Sequence, residues 1–178
     1  MKCDLGYPIL IAALFLTGCT SSQAPQAAQS PAEPLKAVSL DNTVKLVAGQ
    51  TVYVPIYSHI FMTDQNRTMN LTATLSIRNT DLKQPMIVAA VNYYGTNGQL
   101  LRKYLEQPVE LGSLAAANFV VNQEDVSGGA GAAFIVEWVA KQDVSAPVIE
   151  AVMINTNMNQ GLSFISPGRV IKTQAKSQ

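Results

Sequence analysis

The sequence predicts an all-β domain, an immunoglobulin-like two-sheet antiparallel sandwich of about eight strands, on three observations. Beyond about residue 39, short β-branched runs alternate with turn residues, and no stretch sustains an apolar period of 3.6. Several of those runs alternate apolar and polar side chains residue by residue, as a half-buried strand requires. The composition is 48% hydrophobic and 13% charged, which supplies a core and leaves a surface built on Ser, Thr, Asn and Gln. Strand length and turn spacing favour a sandwich over a closed barrel.

Taken in order, the first strong strand has Val52, Val54, Ile56 and Ile60 alternating with Tyr53, Pro55, Tyr57 and His59. It should bury an aliphatic face and present an aromatic, polar one, with Pro55 marking an edge strand or a bulge. Leu71, Ala73, Leu75 and Ile77 alternate with Thr72, Thr74, Ser76 and Arg78 and run into the turn-forming Asn79-Thr80-Asp81. Met86 to Tyr94 is the next strand, and Gly95-Thr96-Asn97-Gly98 is the strongest hairpin turn, leading into Gln99 to Leu105. Phe119 to Val121, Ala133 to Val139, Val148 to Ile154 and Leu162 to Ile165 complete the set. Loops are expected at Gln107 to Ala117 and Asn122 to Ala132.

The first 38 residues are of another kind. Leu5 to Leu16 is a mostly apolar run behind Lys2, the length of a signal-peptide core and too short for the roughly 20 residues of a membrane span. Leu16-Thr17-Gly18-Cys19 resembles the bacterial lipobox, so residues 1–18 are read as a cleaved signal and Cys19 as the lipidated residue. Asp4 is the one feature that runs against the basic start of such signals. Cys3 leaves with the signal, so Cys19 is the sole cysteine of the mature chain and no internal disulfide can form. Two or three acyl chains make attachment effectively permanent. Thr20, rather than Asp, follows Cys19 and favours the outer membrane, facing the periplasm. Residues 19–38, rich in Ser, Gln, Ala and Pro, read as a flexible tether, 39–172 as the sandwich and 173–178 as a polar tail.

The strings Val52-Tyr53-Val54-Pro55-Ile56-Tyr57-Ser58-His59, Leu71 through Asp81, and Phe134-Ile135-Val136-Glu137-Trp138 resemble the bacterial envelope lipoproteins that share domain of unknown function 3124. The resemblance covers roughly Gly49 to Ile171. It implies a single domain and a lipid anchor, and no activity, substrate or catalytic residue.

Chemistry-bearing residues are few. His59 is the only histidine, and its neighbour Ser58 points to the opposite face of a strand, which excludes a Ser-His pair between them. His59 with Met62 and Met69 could form a soft metal site, but methionines more often fill cores, and a strand through Phe61 would turn His59 and Met62 apart. No calcium-loop spacing occurs, and no metal or cofactor is predicted. Glu137 and Glu150 sit on separate strands and read as outward residues rather than as a catalytic pair. Gly128, Gly129 and Gly131 lack the Lys and the strand-to-helix context of a phosphate loop and are read as a flexible hairpin. Net charge is zero before and after cleavage, since Lys2 and Asp4 leave together, and scattered cations exclude nucleic acid as a partner.

The remaining candidate is the polar aromatic face, Tyr53, Tyr57 and His59, with Trp138 and Tyr94 as expected neighbours. Such side chains join apolar area to a hydrogen-bonding tip. The expectation is therefore a non-catalytic module that contacts the membrane through Cys19 and an envelope protein or cell-wall polymer through this face or its loops. A binder of a soft metal or small ligand through His59 is the alternative, and an enzyme the weakest reading.

Overall fold

The computed structural model describes residues 35–41, 44–156 and 161–173. The expected signal peptide, the expected lipobox with Cys19, most of the expected tether and the last residues of the expected tail lie outside the described residues. Thirteen strands form among those described: β1 (Lys36–Ala37), β2 (Ala48–Ile56), β3 (His59–Phe61), β4 (Thr68–Asn70), β5 (Thr72–Arg78), β6 (Met86–Tyr94), β7 (Leu100–Lys103), β8 (Val109–Leu111), β9 (Ala116–Val121), β10 (Ala132–Ala140), β11 (Val148–Asn155), β12 (Leu162–Pro167) and β13 (Arg169–Thr173). A large sheet runs β1-β8-β6-β10-β2-β13, with β7 also on β6, and a small one β12-β11-β5-β9. β3 and β4 make a separate hairpin. All pairings are antiparallel, and the two main sheets pack face to face as a sandwich.

Alternation decides what each strand buries. On β2, Val52, Val54 and Ile56 are at most 4% exposed, while Tyr53 and Pro55 between them are only half-buried. On β5, Ala73, Leu75 and Ile77 face the same core, and Met153 and Ala151 meet them from β11. Each large apolar side chain fully buried this way contributes on the order of 1.5–3 kcal/mol against conformational entropy. β6 breaks the rule once. Its register against β10 shifts between Glu137 and Trp138, so Ala89 is extra, and the inward set passes from Met86 and Val88 to Val91 and Tyr93.

Four features differ from the sequence reading. The run from Val52 to Ile60 is two strands, because the chain leaves the large sheet at Tyr57-Ser58 and re-pairs as β3 with β4. β2 is internal rather than an edge, but β13 pairs with it only from Gln50 to Tyr53, so Pro55 lacks an amide where that flank is open. β8 and β13 go unpredicted: the first is three residues long, between Pro108 and Gly112, and the second follows Pro167-Gly168. At the other end, Lys36–Ala37 of the expected tether joins the large sheet, held by the Lys36–Glu110 ion pair at 3.0 Å and the Val38 amide on the Pro108 carbonyl.

Gly168 carries the chain from one sheet to the other, since β12 belongs to the small sheet and β13 to the large one. Its amide donates to the Ile149 carbonyl at 2.8 Å. A Cβ there would stand 2.6 Å from that carbonyl oxygen and 2.7 Å from Val52 Cγ1, so the close approach of the two layers requires glycine.

Candidate functional site

The site is built outward from Ser58, which continues the inward phase of β2 past its last residue and is fully buried. Its hydroxyl hydrogen-bonds the hydroxyl of Tyr93, also fully buried, at 2.8 Å. Its amide donates to the Gly129 carbonyl, and its carbonyl accepts from Leu71. A buried polar residue is costly unless satisfied, and Ser58 is satisfied three ways. Gly128 lies directly over the pair: a Cβ there would overlap the Tyr93 hydroxyl and come within 2.6 Å of Ser58 Oγ.

The same glycine loop is fastened on its outer side. The Thr96 amide and hydroxyl both donate to the Gly128 carbonyl, at 2.9 and 2.8 Å, and the Gly131 amide donates back to Thr96 Oγ1 at 2.9 Å. Gly129 takes φ +76° at the start of a one-turn 3₁₀ helix, Gly129–Gly131. The segment read as a flexible hairpin is therefore a pinned wall, because each glycine lets backbone approach side chains that hold it.

That wall, with the β6–β7 turn at Gly95 and Gly98, bounds an open groove of about 310 Å³ on the outer face of the large sheet. Tyr94 and Tyr53 flank it and Ala133 and Ile135 of β10 form its floor. Register explains the arrangement: Tyr94 pairs with Ala133, and Ile135 with Tyr53, so β10 separates the two phenols and Ala133 leaves the space between them open.

Of the residues predicted for a binding face, the structure brings Tyr53 together with Tyr94 and separates the rest. Tyr57 is 36% exposed beyond the strand break, its ring edge-on to Phe164 at 5.9 Å. His59 stands edge-on to Phe61 at 5.8 Å on the β3–β4 hairpin, and Met62, which follows β3 in the chain, is exposed. Trp138 is not part of the face: it is 2% exposed, points into the core with Phe134 and Val136, and its indole N–H has no hydrogen-bond partner among the described residues. Even-numbered β10 positions face inward, and parity therefore excludes Trp138 from the side that carries Ile135.

Glu137 and Glu150 lie on the outer faces of opposite sheets and do not meet. Met86 and Met153 are fully buried and Met69 packs on the core. No group of three or more His, Cys, Asp or Glu converges among the described residues. The small sheet presents a second outer surface, on which Val120, Thr74, Val152 and Ile165 stand in one cross-strand row, Ile165 at 60% exposure.

At the far end of the small sheet, Asn79-Thr80-Asp81 is a structural knot. Asn79 is 2% exposed and its side-chain amide donates to the carbonyls of Gln84, Leu111 and Gly112. Asp81 accepts from the amides of Lys83, Gln84 and Ser145, and these donors, Lys83 foremost, hold its carboxyl below the usual range. Tyr104 closes another side, donating to the Val120 carbonyl at 2.8 Å, and burial raises its phenol pKa.

No curated protein matches the sequence. A similar solved structure is described as the crystal structure of Thermotoga maritima 1070, at 10% identity and TM-score 0.43, covering 67% of this chain and 92% of that one. The model of a protein family of unknown function, DUF3124, matches residues 49–171, a span that holds Ser58, the glycine wall, the Asn79–Asp81 knot and both groove tyrosines. The chain belongs to the DUF3124 family.

Proposed function

We propose that this protein is a bacterial lipoprotein, anchored through Cys19 to the outer membrane on its periplasmic side, whose sandwich is a non-catalytic binding module of the cell envelope. The anchor rests on the sequence, on Leu16-Thr17-Gly18-Cys19 behind a short apolar run. The observation that carries the binding half is the Tyr53–Tyr94 groove, because it is open, aromatic and bounded by a wall already fixed by hydrogen bonds. Preformed concave sites with a few polar tips are the usual form of ligand sites, and pre-organisation lowers the entropy cost of binding.

Two measurements test it. Cells fed an alkyne-bearing palmitate should label the wild-type chain and leave Cys19→Ser unlabelled and released from membranes; equal labelling of both overturns the anchor. A photoreactive phenylalanine analogue at Tyr94 should give a discrete adduct in intact cells that the same analogue at Val120, on the other sheet, does not. Identical adducts from both positions would mean that the groove is not a specific contact.

A further inference from the structure

We propose that the Tyr53–Tyr94 groove seats a sugar ring of a carboxylate-bearing polysaccharide; this names the ligand class of the binding reading above and rests on it. Four observations carry it. The floor strand β10 is hydrogen-bonded to β6 on one side and β2 on the other, and β2 is paired again by β13. An extended peptide laid over this floor would find both edges of β10 already paired, so strand addition to β10 is closed to it. The groove lining holds two phenols, three glycines, Thr96, Ala133 and Ile135, with no charged side chain. A pyranose suits such a lining, since its C–H faces cover aromatic rings and its hydroxyls meet the tyrosine tips. The space also fits: β6 and β2 stand roughly 10 Å apart across β10, and only the small Ala133 lies between Tyr94 and the β2 side.

Charge supplies the rest of the specificity. Lys103, Asn92, Ile135, Tyr53 and Arg169 share one cross-strand row, so a cation closes each end of the row that carries Tyr53. Lys172 stands in the next row beside Thr51, with Glu137 on Thr51's other flank. Glu110, further along the same face, is already paired with Lys36. Three cations therefore face one carboxylate, and neither Lys103 nor Arg169 is ion-paired among the described residues. An acidic substituent on a ring seated at Tyr53 lies within reach of Arg169, whose planar fork suits a carboxylate.

The test uses the full-length lipoprotein in detergent and two matched probes: the disaccharide of N-acetylglucosamine and N-acetylmuramic acid, and N,N′-diacetylchitobiose, which lacks the carboxylate. Calorimetric titration should show the acidic probe binding about tenfold tighter than the neutral one. Tyr53→Ala and Tyr94→Ala should each weaken both probes tenfold or more, whereas Arg169→Gln should remove only the difference between them. Emission of Trp138, on the opposite side of the sheet, reports that each variant is folded. Equal affinity for both probes overturns the acidic part, and tight binding unaffected by both tyrosine variants overturns the site. No binding of either probe, with a discrete protein adduct at Tyr94, overturns the saccharide and leaves the binding module standing; no binding and no adduct overturns both.

Discussion

Asn79 shows how much one side chain can hold. Its amide nitrogen has two protons and three carbonyls within reach, at 2.9, 3.2 and 2.9 Å, while its oxygen accepts the Asp81 amide at 2.9 Å. Alanine there would take this donor from the buried Leu111 carbonyl and from the part-buried carbonyls of Gln84 and Gly112, at a cost of roughly 1–3 kcal/mol. Urea denaturation followed by the single tryptophan should show it as a lower midpoint with unchanged slope. Asp81 beside it carries the pH dependence. Its folded pKa is depressed below 3.8, so its contribution is present above the unfolded value and is lost as pH falls through the folded one. The wild type should lose stability below about pH 4, and Asp81→Asn should flatten that limb; parallel profiles for the two proteins would remove Asp81 from the account.

At the scale of elements, the glycine wall depends on a contact that reads as ordinary sequence. Gly128→Ala places a methyl against the Tyr93 hydroxyl, and overpacking of this kind costs roughly 1–3 kcal/mol. Tyr93→Phe alone loses one hydrogen bond, worth about 1 kcal/mol. The double variant should be more stable than the sum predicts, because removing the hydroxyl relieves the clash that the methyl creates; strict additivity would mean that the two do not touch. The elements most legible in the sequence are β5, by its alternation, β10, by its nearly continuous apolar run, and the turn at Gly95 to Gly98, where Gly98 takes φ +76°. What alternation could not disclose was where it resets. The extra Ala89 in β6, the departure of the chain at Tyr57-Ser58 and the crossing at Gly168 are each set by the partner strand. Tyr53 and Tyr94 are legible as aromatic and outward, but their meeting over Ala133 is a matter of register, and Trp138 is absent from the face because its parity within β10 turns it into the core.

For the whole molecule, the sandwich class was legible from composition and patterning, whereas the order of strands was not, since pairing partners lie far apart in sequence. β2 lies between β10 and β13: Val52 pairs with Val136 on one side and Val170 on the other. Closing such loops is entropically slow, and folds of this kind fold in milliseconds to seconds. Stopped-flow refolding followed by Trp138 should fall in that range, and a microsecond phase carrying the full amplitude would contradict it. Removing β13 should expose the second edge of β2 and produce oligomers on size exclusion.

The placement of β2 has a consequence for the chain's journey. The first long strand of the domain cannot be completed until residue 170 or so has arrived, because both flanks come from the C-terminal half. A chain threaded through a secretion channel from its N-terminus would therefore hold no finished sheet while it is in transit. For the exported lipoprotein proposed above, such a fold would be self-delaying: the topology that closes the sandwich leaves it open until the last strands arrive.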